Sequence, residues 1–412
     1  MQRSTRKHPS WILVLVLILG FAAACAPEED PEGEPDEEAD TDTAFEMPDT
    51  VVWTAYDVGS AGYSQSASIG HAMGGEGITL RVIPGGNDVA RQSPLLGGRA
   101  HFGALGIASF LSQEGVMEFS ETEWGPQSVR ILGAAWADFN TGIASCAGDV
   151  GIATVDDLEG KRLAWVVGAP ALNLNMTSFL AAADLTWDDV ERVEFPSFGA
   201  ATRAALENQV DCYVASTNSG NAVELSESPR GFQPAHLPRP EEDPDAWDRL
   251  LSEAPYWEFN EATIGADPVS EEEPHIGSTY GYPIITTYDV QDPGLVYEQA
   301  RLIYELLPEY EDAYPGNDGF ALEAQRFEWV MPYHEGAVRY FEEQGVWTDE
   351  MEAHNQALIE RQEVLAAAYD RALSELEEEQ LTAEEFPDLW MEIRAEELTG
   401  AGFEPYWEDV FW

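Results

Sequence analysis

The fold is decided by the stretch "VVWTAYDVGSAGYSQSAS", residues 51–68. An apolar run ends in a loop that carries Gly59 and Gly62, and a helix-compatible segment of small residues follows. A strand, a glycine-bearing loop and a helix in this order direct the free N–H groups of the helix N-terminus beyond the end of the strand. The sequence therefore predicts a βα unit whose turn suits a small polar or anionic group.

Nucleotide phosphates do not fit this turn. A dinucleotide fingerprint needs G-x-G-x-x-G, and a P-loop ends in G-K-[ST], whereas residues 59–65 read GSAGYSQ. The loop retains backbone N–H groups, the hydroxyls of Ser60 and Ser64, and the ring of Tyr63. These groups suit a carboxylate or another small anion, and a plain tight turn without a ligand is the alternative.

The strand–loop–helix pattern recurs along the chain to about residue 225. Such alternation favours an α/β protein with mostly parallel sheets, and ligands of open α/β sheets bind outside the carboxyl ends of the strands. Polar clusters stand at several predicted strand ends: Asn87 in "PGGND" (84–88), Asn173 and Asn175 in "GAPALNLN" (168–175), and Thr217 in "STNSG" (216–220). Helix capping without ligand contact is the alternative at each of these positions.

The first 49 residues predict export. Basic residues precede an apolar run of 14 residues (11–24), which is shorter than the ~20 residues that span a bilayer but typical of a signal-peptide core. Small residues then lead into Cys25. We predict a lipoprotein signal peptide over 1–25, lipidated at Cys25, with ordinary secretion as the alternative. Residues 26–49 are rich in Asp, Glu and Pro, and predict an acidic disordered tether.

The charge of the chain is strongly negative: 77 acidic residues stand against 20 basic ones, for a net charge of −57. Nucleic-acid binding needs the opposite sign, so such a partner is excluded. An acidic surface suits a saline exterior, where charge repulsion is screened within ~3 Å at 1 M salt. We interpret the chain as a halophilic acidic protein, and codon bias toward arginine is an alternative source of part of the pattern.

Two cysteines follow Cys25 in the sequence, Cys146 and Cys212. In an oxidising compartment an isolated pair often forms a disulfide; two buried free thiols are the alternative. The seven histidines are scattered and have no ligand spacing, so no metal site is predicted. There is no G-x-S-x-G nucleophile elbow, and carboxylates are too abundant for any pair to stand out. We therefore predict no catalytic residue and no cofactor.

The second half of the chain has less regular patterning. Residues 226–275 are proline-rich and acidic, and predict a surface excursion with few clear strands. Residues 348–381 predict one helix of about 50 Å at ~1.5 Å per residue, with an apolar stripe from Leu358 to Leu376. This helix either folds back across the first lobe, with the aromatic residues of 403–412 docked, or pairs with a second copy in a dimer.

Six segments, in colinear order over roughly residues 50–350, resemble the extracytoplasmic solute-binding proteins of TRAP transporters, and specifically the TAXI type. No single segment is diagnostic, but the ordered set is specific. The segments are "YDVGSAGYSQ" (56–65), "PGGNDVARQSPLLGGRAHFG" (84–103), "DDLEGKRLAWVVGAP" (156–170), "VEFPSFGAATRAALENQVDCYVAS" (193–216), "YGYPIITTY" (280–288) and "PYHEGAVRYFEEQGVWTDE" (332–350).

The resemblance implies a type II-like periplasmic-binding-protein fold, in which two α/β lobes close over a cleft. It implies capture of a small carboxylated solute, a glutamate-like amino acid or a dicarboxylate, and delivery to the membrane subunits of an ion-driven TRAP permease. A cleft enzyme or a sensor module on the same fold is the alternative. By position, the family's pocket would fall on Ser60, Gly62, Tyr63, Asn87, Asn173, Asn175, Thr217 and Tyr280.

The predicted organisation combines these elements. Residues 50–140 form the first part of lobe 1, 141–279 form lobe 2, 280–347 return through the hinge to lobe 1, and 348–412 form a C-terminal helical extension. We predict that the protein lies outside the cytoplasmic membrane, in the periplasm or on the membrane's outer face, and contacts the membrane only through its lipid anchor.

Overall fold

The computed structural model describes residue 45 and residues 47–407. The predicted signal peptide, Cys25, nearly all of the predicted tether and the last five residues lie outside the described residues. All described residues belong to one unit of the chain. No helix within this part of the chain is long and apolar enough to cross a membrane.

Strands alternate with helices through the first half of the described chain. The strands of the described residues are β1 (Thr50–Ala55), β2 (Thr79–Pro84), β3 (Phe102–Leu105), β4 (Val129–Ala134), β5 (Ile143–Ala147), β6 (Arg162–Val166), β7 (Glu191–Phe195), β8 (Cys212–Ala215), β9 (Phe232–Pro234), β10 (Glu258–Ala262), β11 (His275–Thr279) and β12 (Ile284–Tyr288).

Helices dominate the second half. The α-helices of the described residues are α1 (Ala61–Gly75), α2 (Asp88–Leu96), α3 (Ala108–Glu114), α4 (Pro170–Ala182), α5 (Phe198–Leu206), α6 (Gly220–Glu227), α7 (Pro244–Glu253), α8 (Pro293–Glu305), α9 (Leu307–Tyr310), α10 (Glu335–Glu343), α11 (Asp349–Glu379) and α12 (Phe386–Ala401). Short 3-10 turns connect several of them.

Two five-stranded sheets organise the molecule. The first has the order β2-β1-β3-β12-β4, and the second has the order β7-β6-β8-β5-β9. In each sheet the first three strands are parallel, and the strand that follows them, β12 or β5, runs antiparallel to both of its neighbours. We call the first sheet with its helices lobe 1 and the second sheet with its helices lobe 2. The predicted two-lobed α/β fold is confirmed.

The opening stretch forms the βα unit that its sequence predicts. Trp53 and Ala55 of β1 are fully buried, and Gly59 adopts a φ of +98°, a conformation that glycine accepts without strain. Ser60 then caps α1, because its side chain accepts the N–H of Tyr63. Ser197 and Ser219 cap α5 and α6 in lobe 2 in the same way. Helix N-termini of both lobes thus follow strand ends.

The surface excursion predicted over residues 226–275 is wrong. β9 joins the second sheet, α7 packs on α4, and β10 pairs with β11 in a hairpin. Trp247, Leu250 and Trp257 are buried in the core. In the sequence, their apolar spacing was hidden among the prolines and acidic residues of this region.

A disulfide joins two neighbouring strands of lobe 2. Cys146 of β5 lies directly opposite Cys212 of β8 in the antiparallel pair, and their sulfur atoms are bonded. The bond closes a loop with a sequence separation of 66 residues.

The C-terminal extension is a helical hairpin on lobe 1, and the predicted helical extension is confirmed. α11 runs for 31 residues and packs along α12. Leu365 and Ala372 of its apolar stripe are fully buried. The indole N–H of Trp390 donates to the carbonyl of Gly115 at the end of α3, at 2.6 Å. The extension therefore folds back against the lobe of its own chain.

Candidate functional site

A small cavity lies between the two lobes, beyond the carboxyl ends of the strands. The space that the centre of a water molecule can reach in it is about 30 Å³. Lobe 1 and the returning hinge segment contribute Tyr56, Ser60, Ala61, Tyr280 and Tyr282, and lobe 2 contributes Thr141, Gly142, Leu172, Phe198, Val214, Ala215, Ser216 and Ser219. Rings, aliphatic groups and hydroxyls make up this lining, and among the described residues no Asp, Glu, Lys, Arg or His belongs to it.

Helix N-termini from both lobes meet at the cavity. Ser60, the cap of α1, and Ser219, the cap of α6, both line it, and so do Phe198, which begins α5, and Leu172 in the first turn of α4. Each N-terminus carries roughly half a positive charge from the helix dipole. The cavity therefore lies in a field that favours a negative group.

Hydroxyl donors face the same space. Ser60 Oγ accepts the N–H of Tyr63 at 3.2 Å, and Ser219 Oγ accepts the N–H of Ala222 at 3.1 Å. In each case the hydroxyl hydrogen finds no acceptor among the described residues, and it remains able to donate. Thr141 is only 1% exposed, and its Oγ1 has no hydrogen-bond partner within the described chain.

Three tyrosines form one side of the cavity and stay neutral. Burial raises the pKa of Tyr56, Tyr280 and Tyr282. The backbone N–H of Gly62 opposes this effect at Tyr282, by a hydrogen bond that lowers its pKa. Tyr56 packs edge-on against Phe198 of lobe 2, with ring centroids 5.9 Å apart. The aromatic wall thus spans both lobes.

A buried ion pair lies behind Tyr56. Asp88 and Arg91, both in α2, form a hydrogen-bonded ion pair with fully buried side chains, and the guanidinium of Arg91 lies 3.2 Å from the ring centroid of Tyr56. Asp88 Oδ2 also accepts the N–H of Ala171 in lobe 2 at 2.9 Å. Burial raises the pKa of Asp88, and the charge of Arg91 opposes that shift. The guanidinium behind Tyr56 is therefore already neutralised.

The lobes touch directly along the mouth of the cleft. Gly199 N–H donates to Asp57 Oδ2 at 3.1 Å, and Phe198 N–H donates to the carbonyl of Gly86 at 2.9 Å. Farther along, the hydroxyl of Tyr314 donates to the carbonyl of Asn218 at 2.6 Å. These bonds join groups on opposite lobes, so the structure is a closed form.

The predicted site residues separate into two groups. Ser60 and Tyr280 line the cavity. Gly62 lies against it from behind, because a Cβ added there would come within 2.7 Å of the Tyr282 hydroxyl oxygen. Tyr63 is half-buried and packs against the core. Asn87 caps α2 and donates from Nδ2 to the carbonyl of Val167 across the cleft at 3.1 Å.

The other three predicted residues hold the scaffold of lobe 2. Asn173 bonds both backbone groups of Val166, at 3.0 and 2.9 Å. Asn175 Oδ1 accepts the hydroxyl of Tyr256 at 2.7 Å. Thr217 Oγ1 donates to the carbonyl of Ile264 at 2.7 Å. None of the three belongs to the lining of the cavity.

Several lining residues had no place in the sequence-based site. Ser216 and Ser219 stand in the quoted cluster "STNSG", and Phe198 follows directly on the strand end "EFPS". Their position at strand ends was the available signal. Thr141 does not follow a predicted strand end; it lies at the predicted boundary between the lobes, where the chain crosses from β4 to β5. Within the described residues, no group of three or more His, Cys, Asp or Glu side chains could hold a metal ion.

Solved structures similar to this chain include several solute-binding proteins. The alkanesulfonate-binding protein of Xanthomonas axonopodis pv. citri, bound to MOPS, is 13% identical, with 74% of this chain and 96% of that chain covered and a TM-score of 0.39. A periplasmic binding protein of an ABC transporter from Brucella ovis, with glutathione bound, is 12% identical, with 64% and 70% covered and a TM-score of 0.41. An ancestral arginine-binding protein bound to arginine is 14% identical, with 67% and 97% covered and a TM-score of 0.35.

The sequence of this chain matches a family model but no individual curated protein. No curated protein matches this chain significantly. The model of the NMT1-like family matches residues 67–345. That range contains most of both sheets and reaches to the end of α10, and it leaves the C-terminal hairpin outside. The chain belongs to the NMT1-like family.

Proposed function

We propose that this protein is the extracytoplasmic solute-binding subunit of a TRAP-type secondary transporter of the TAXI type. It captures a small carboxylated solute between its lobes and delivers it to the ion-driven permease in the membrane. The observation that carries the proposal is the cavity between the lobes, where helix N-termini and hydroxyl donors of both lobes converge.

A bound solute can hold the lobes closed because it makes more contacts in the closed state than in the open one. A solute that touches Ser60 on lobe 1 and Ser219 on lobe 2 makes both contacts only when the lobes are closed, so it stabilises the closed state relative to the open one. Ser60 and Tyr280 are the proposed direct contacts among the residues predicted from sequence. The other predicted residues act from behind the cavity by holding loops and helix starts in place. They are Gly62, Tyr63, Asn87, Asn173, Asn175 and Thr217.

The transporter type rests on the sequence. The six colinear segments of the TAXI resemblance support a TRAP permease as the partner, and the apolar run followed by Cys25 supports export with a lipid anchor. The net charge of −57 supports a saline exterior. Uptake of the solute into proteoliposomes should require both this protein and the two TRAP membrane subunits, and uptake without this protein would contradict the partnership.

A ligand screen tests the binding role. Ligand-stripped protein is heated with amino acids, monocarboxylates, dicarboxylates, sulfonates and sugars, at low and at molar salt. A binder at 100 times its Kd stabilises the folded state by about 2.7 kcal/mol, which raises the unfolding temperature measurably. No shift with any member of the panel would reject the function. The enzyme alternative predicts that a bound solute is converted into another compound. A solute-binding protein instead leaves it unchanged, so NMR of each bound solute should show the same compound after incubation.

A further inference from the structure

We propose, resting on the function above, that the solute is a small monocarboxylate. Its carboxylate accepts hydrogen bonds from Thr141, Ser60 and Ser219, and its short hydrocarbon part lies against the aromatic wall. The wall consists of Tyr56, Phe198, Tyr280 and Tyr282. This narrows the class implied by the resemblance, and it excludes glutamate and dicarboxylates.

The charges around the cavity limit the number of charged groups that the solute can carry. Converging helix N-termini and hydroxyls stabilise one negative charge. A second carboxylate would need a cation of its own, and none of the residues that the structure describes supplies one to the lining. Arg91 is held by Asp88 behind the ring of Tyr56. A buried charge without a partner is strongly disfavoured. The ammonium group of an amino acid meets the same obstacle, since no carboxylate within the described part of the chain lines the cavity.

Thr141 is the residue on which the assignment depends most. Its Oγ1 is buried and without a partner in the described chain, and a buried polar group of this kind calls for a specific explanation. It lines the cavity at the crossing between the lobes. A ligand oxygen that accepts its hydroxyl hydrogen provides the missing partner.

Isothermal titration tests the solute class. Acetate, propionate, butyrate, succinate, L-glutamate and propionamide are titrated into ligand-stripped full-length protein at constant molar salt. We expect the monocarboxylates to bind best, succinate and glutamate to bind at least about tenfold more weakly, and propionamide, which lacks the charge, to give no measurable binding. Succinate or glutamate binding as tightly as propionate, or propionamide matching it, would overturn the proposal.

A matched pair of variants tests the site. Thr141→Val removes the unpartnered hydroxyl in the cavity. Thr54→Val removes another fully buried, unpartnered threonine hydroxyl, on β1 and outside the lining. Since both lose a hydroxyl without a partner, both should fold with near-normal unfolding temperatures. Propionate affinity should fall about tenfold or more in Thr141→Val, the loss expected for a hydrogen bond to a charged group, and stay within about twofold in Thr54→Val. Equal affinities in the two variants would contradict the assignment.

The two proposals fail in different ways. If a sugar or a sulfonate binds and no monocarboxylate does, the solute class is wrong while the solute-binding function stands. If neither these acids nor any member of the wider panel shifts the unfolding temperature, the binding function itself is rejected, and the solute class with it.

Discussion

Replacing Glu114 should detach the C-terminal hairpin from lobe 1. Glu114 ends α3, and its carboxylate accepts the Nε of Arg361 on α11 at 2.8 Å and also pairs with Arg394 on α12. The side chains of Glu114 and Arg394 are fully buried, and that of Arg361 is 5% exposed. Burial by itself raises the pKa of Glu114, but the hydrogen bonds and charges of the two arginines outweigh it, and its pKa is lowered.

Glu114→Gln keeps the shape of the side chain but leaves two buried guanidinium groups without a counter-charge. Breaking a buried ion pair by removing one partner costs about 3–5 kcal/mol. That is a large part of the 5–15 kcal/mol by which native domains are typically stable. We expect a loss of this size in the free energy of unfolding of the part of the protein that includes the hairpin. Denaturant titration followed by tryptophan fluorescence measures it, because Trp390 and Trp407 are buried there.

Glu396→Gln is the matched control, since the carboxylate of Glu396 pairs with Arg371 on the same hairpin but is 65% exposed. An exposed pair of this kind contributes about 0–1 kcal/mol. The stability from Glu114 is present above its ordinary pKa of 4.5 and is lost as the pH falls through its lowered value in the folded state. As the pH falls from about 4.5 toward that lowered value, the free energy of unfolding of the wild type should therefore approach that of Glu114→Gln. Losses within about 1 kcal/mol of each other for the two variants would refute this reasoning.

Two further changes test lobe 2 and the closure of the cleft. Replacing Cys146 and Cys212 together by alanine opens a loop with a separation of 66 residues, and it should lower the free energy of unfolding by up to about 4 kcal/mol; a loss below about 1 kcal/mol in reversible denaturation would contradict this. Asp57→Ala removes the carboxylate that holds Gly199 across the cleft, a bond to a charged group worth about 1.5–3 kcal/mol. The ligand-free protein should then expand in small-angle X-ray scattering and bind its solute several-fold more weakly, whereas an unchanged radius of gyration with unchanged affinity would exclude a role in closure.

Much of the fold could be predicted because its strands and helices follow local rules. β1 is an apolar run followed by a loop that carries Gly59, and α1 begins after a serine cap, so period, turn and cap agree. The region 226–275 failed for an equally local reason. In α7, Trp247 and Leu250 are spaced three residues apart and both are buried, but the prolines and acidic residues around them dominate the composition.

The site was harder to predict because it depends on where helices begin and on how the lobes meet. The sequence analysis predicted Asn173 as a pocket residue beyond a strand end, whereas α4 already begins at Pro170. A start three residues earlier puts Asn173 inside the first turns, where its amide bonds the backbone of Val166 instead of a ligand. Thr141 reaches the cavity because the chain crosses between the sheets there. The sequence analysis put the boundary between the lobes at residues 140/141, but no period or cap indicated that the side chain at the crossing lines the cavity.

The C-terminal hairpin and the tail that follows it contact both lobes. Arg394, held by Glu114 on lobe 1, donates to the carbonyls of Pro405 and Trp407, and the indole N–H of Trp407 donates to the carbonyl of Glu253 in lobe 2 at 3.0 Å. Phe110 of lobe 1 packs on Trp407 and also on Tyr256 of lobe 2, with ring centroids 5.8 and 6.4 Å apart. Because the tail is bound to both lobes, any opening of the cleft must either carry it along or break its contact with lobe 2. The family's matched range ends at residue 345, so this restraint on opening comes from a part of the chain that the family model does not include.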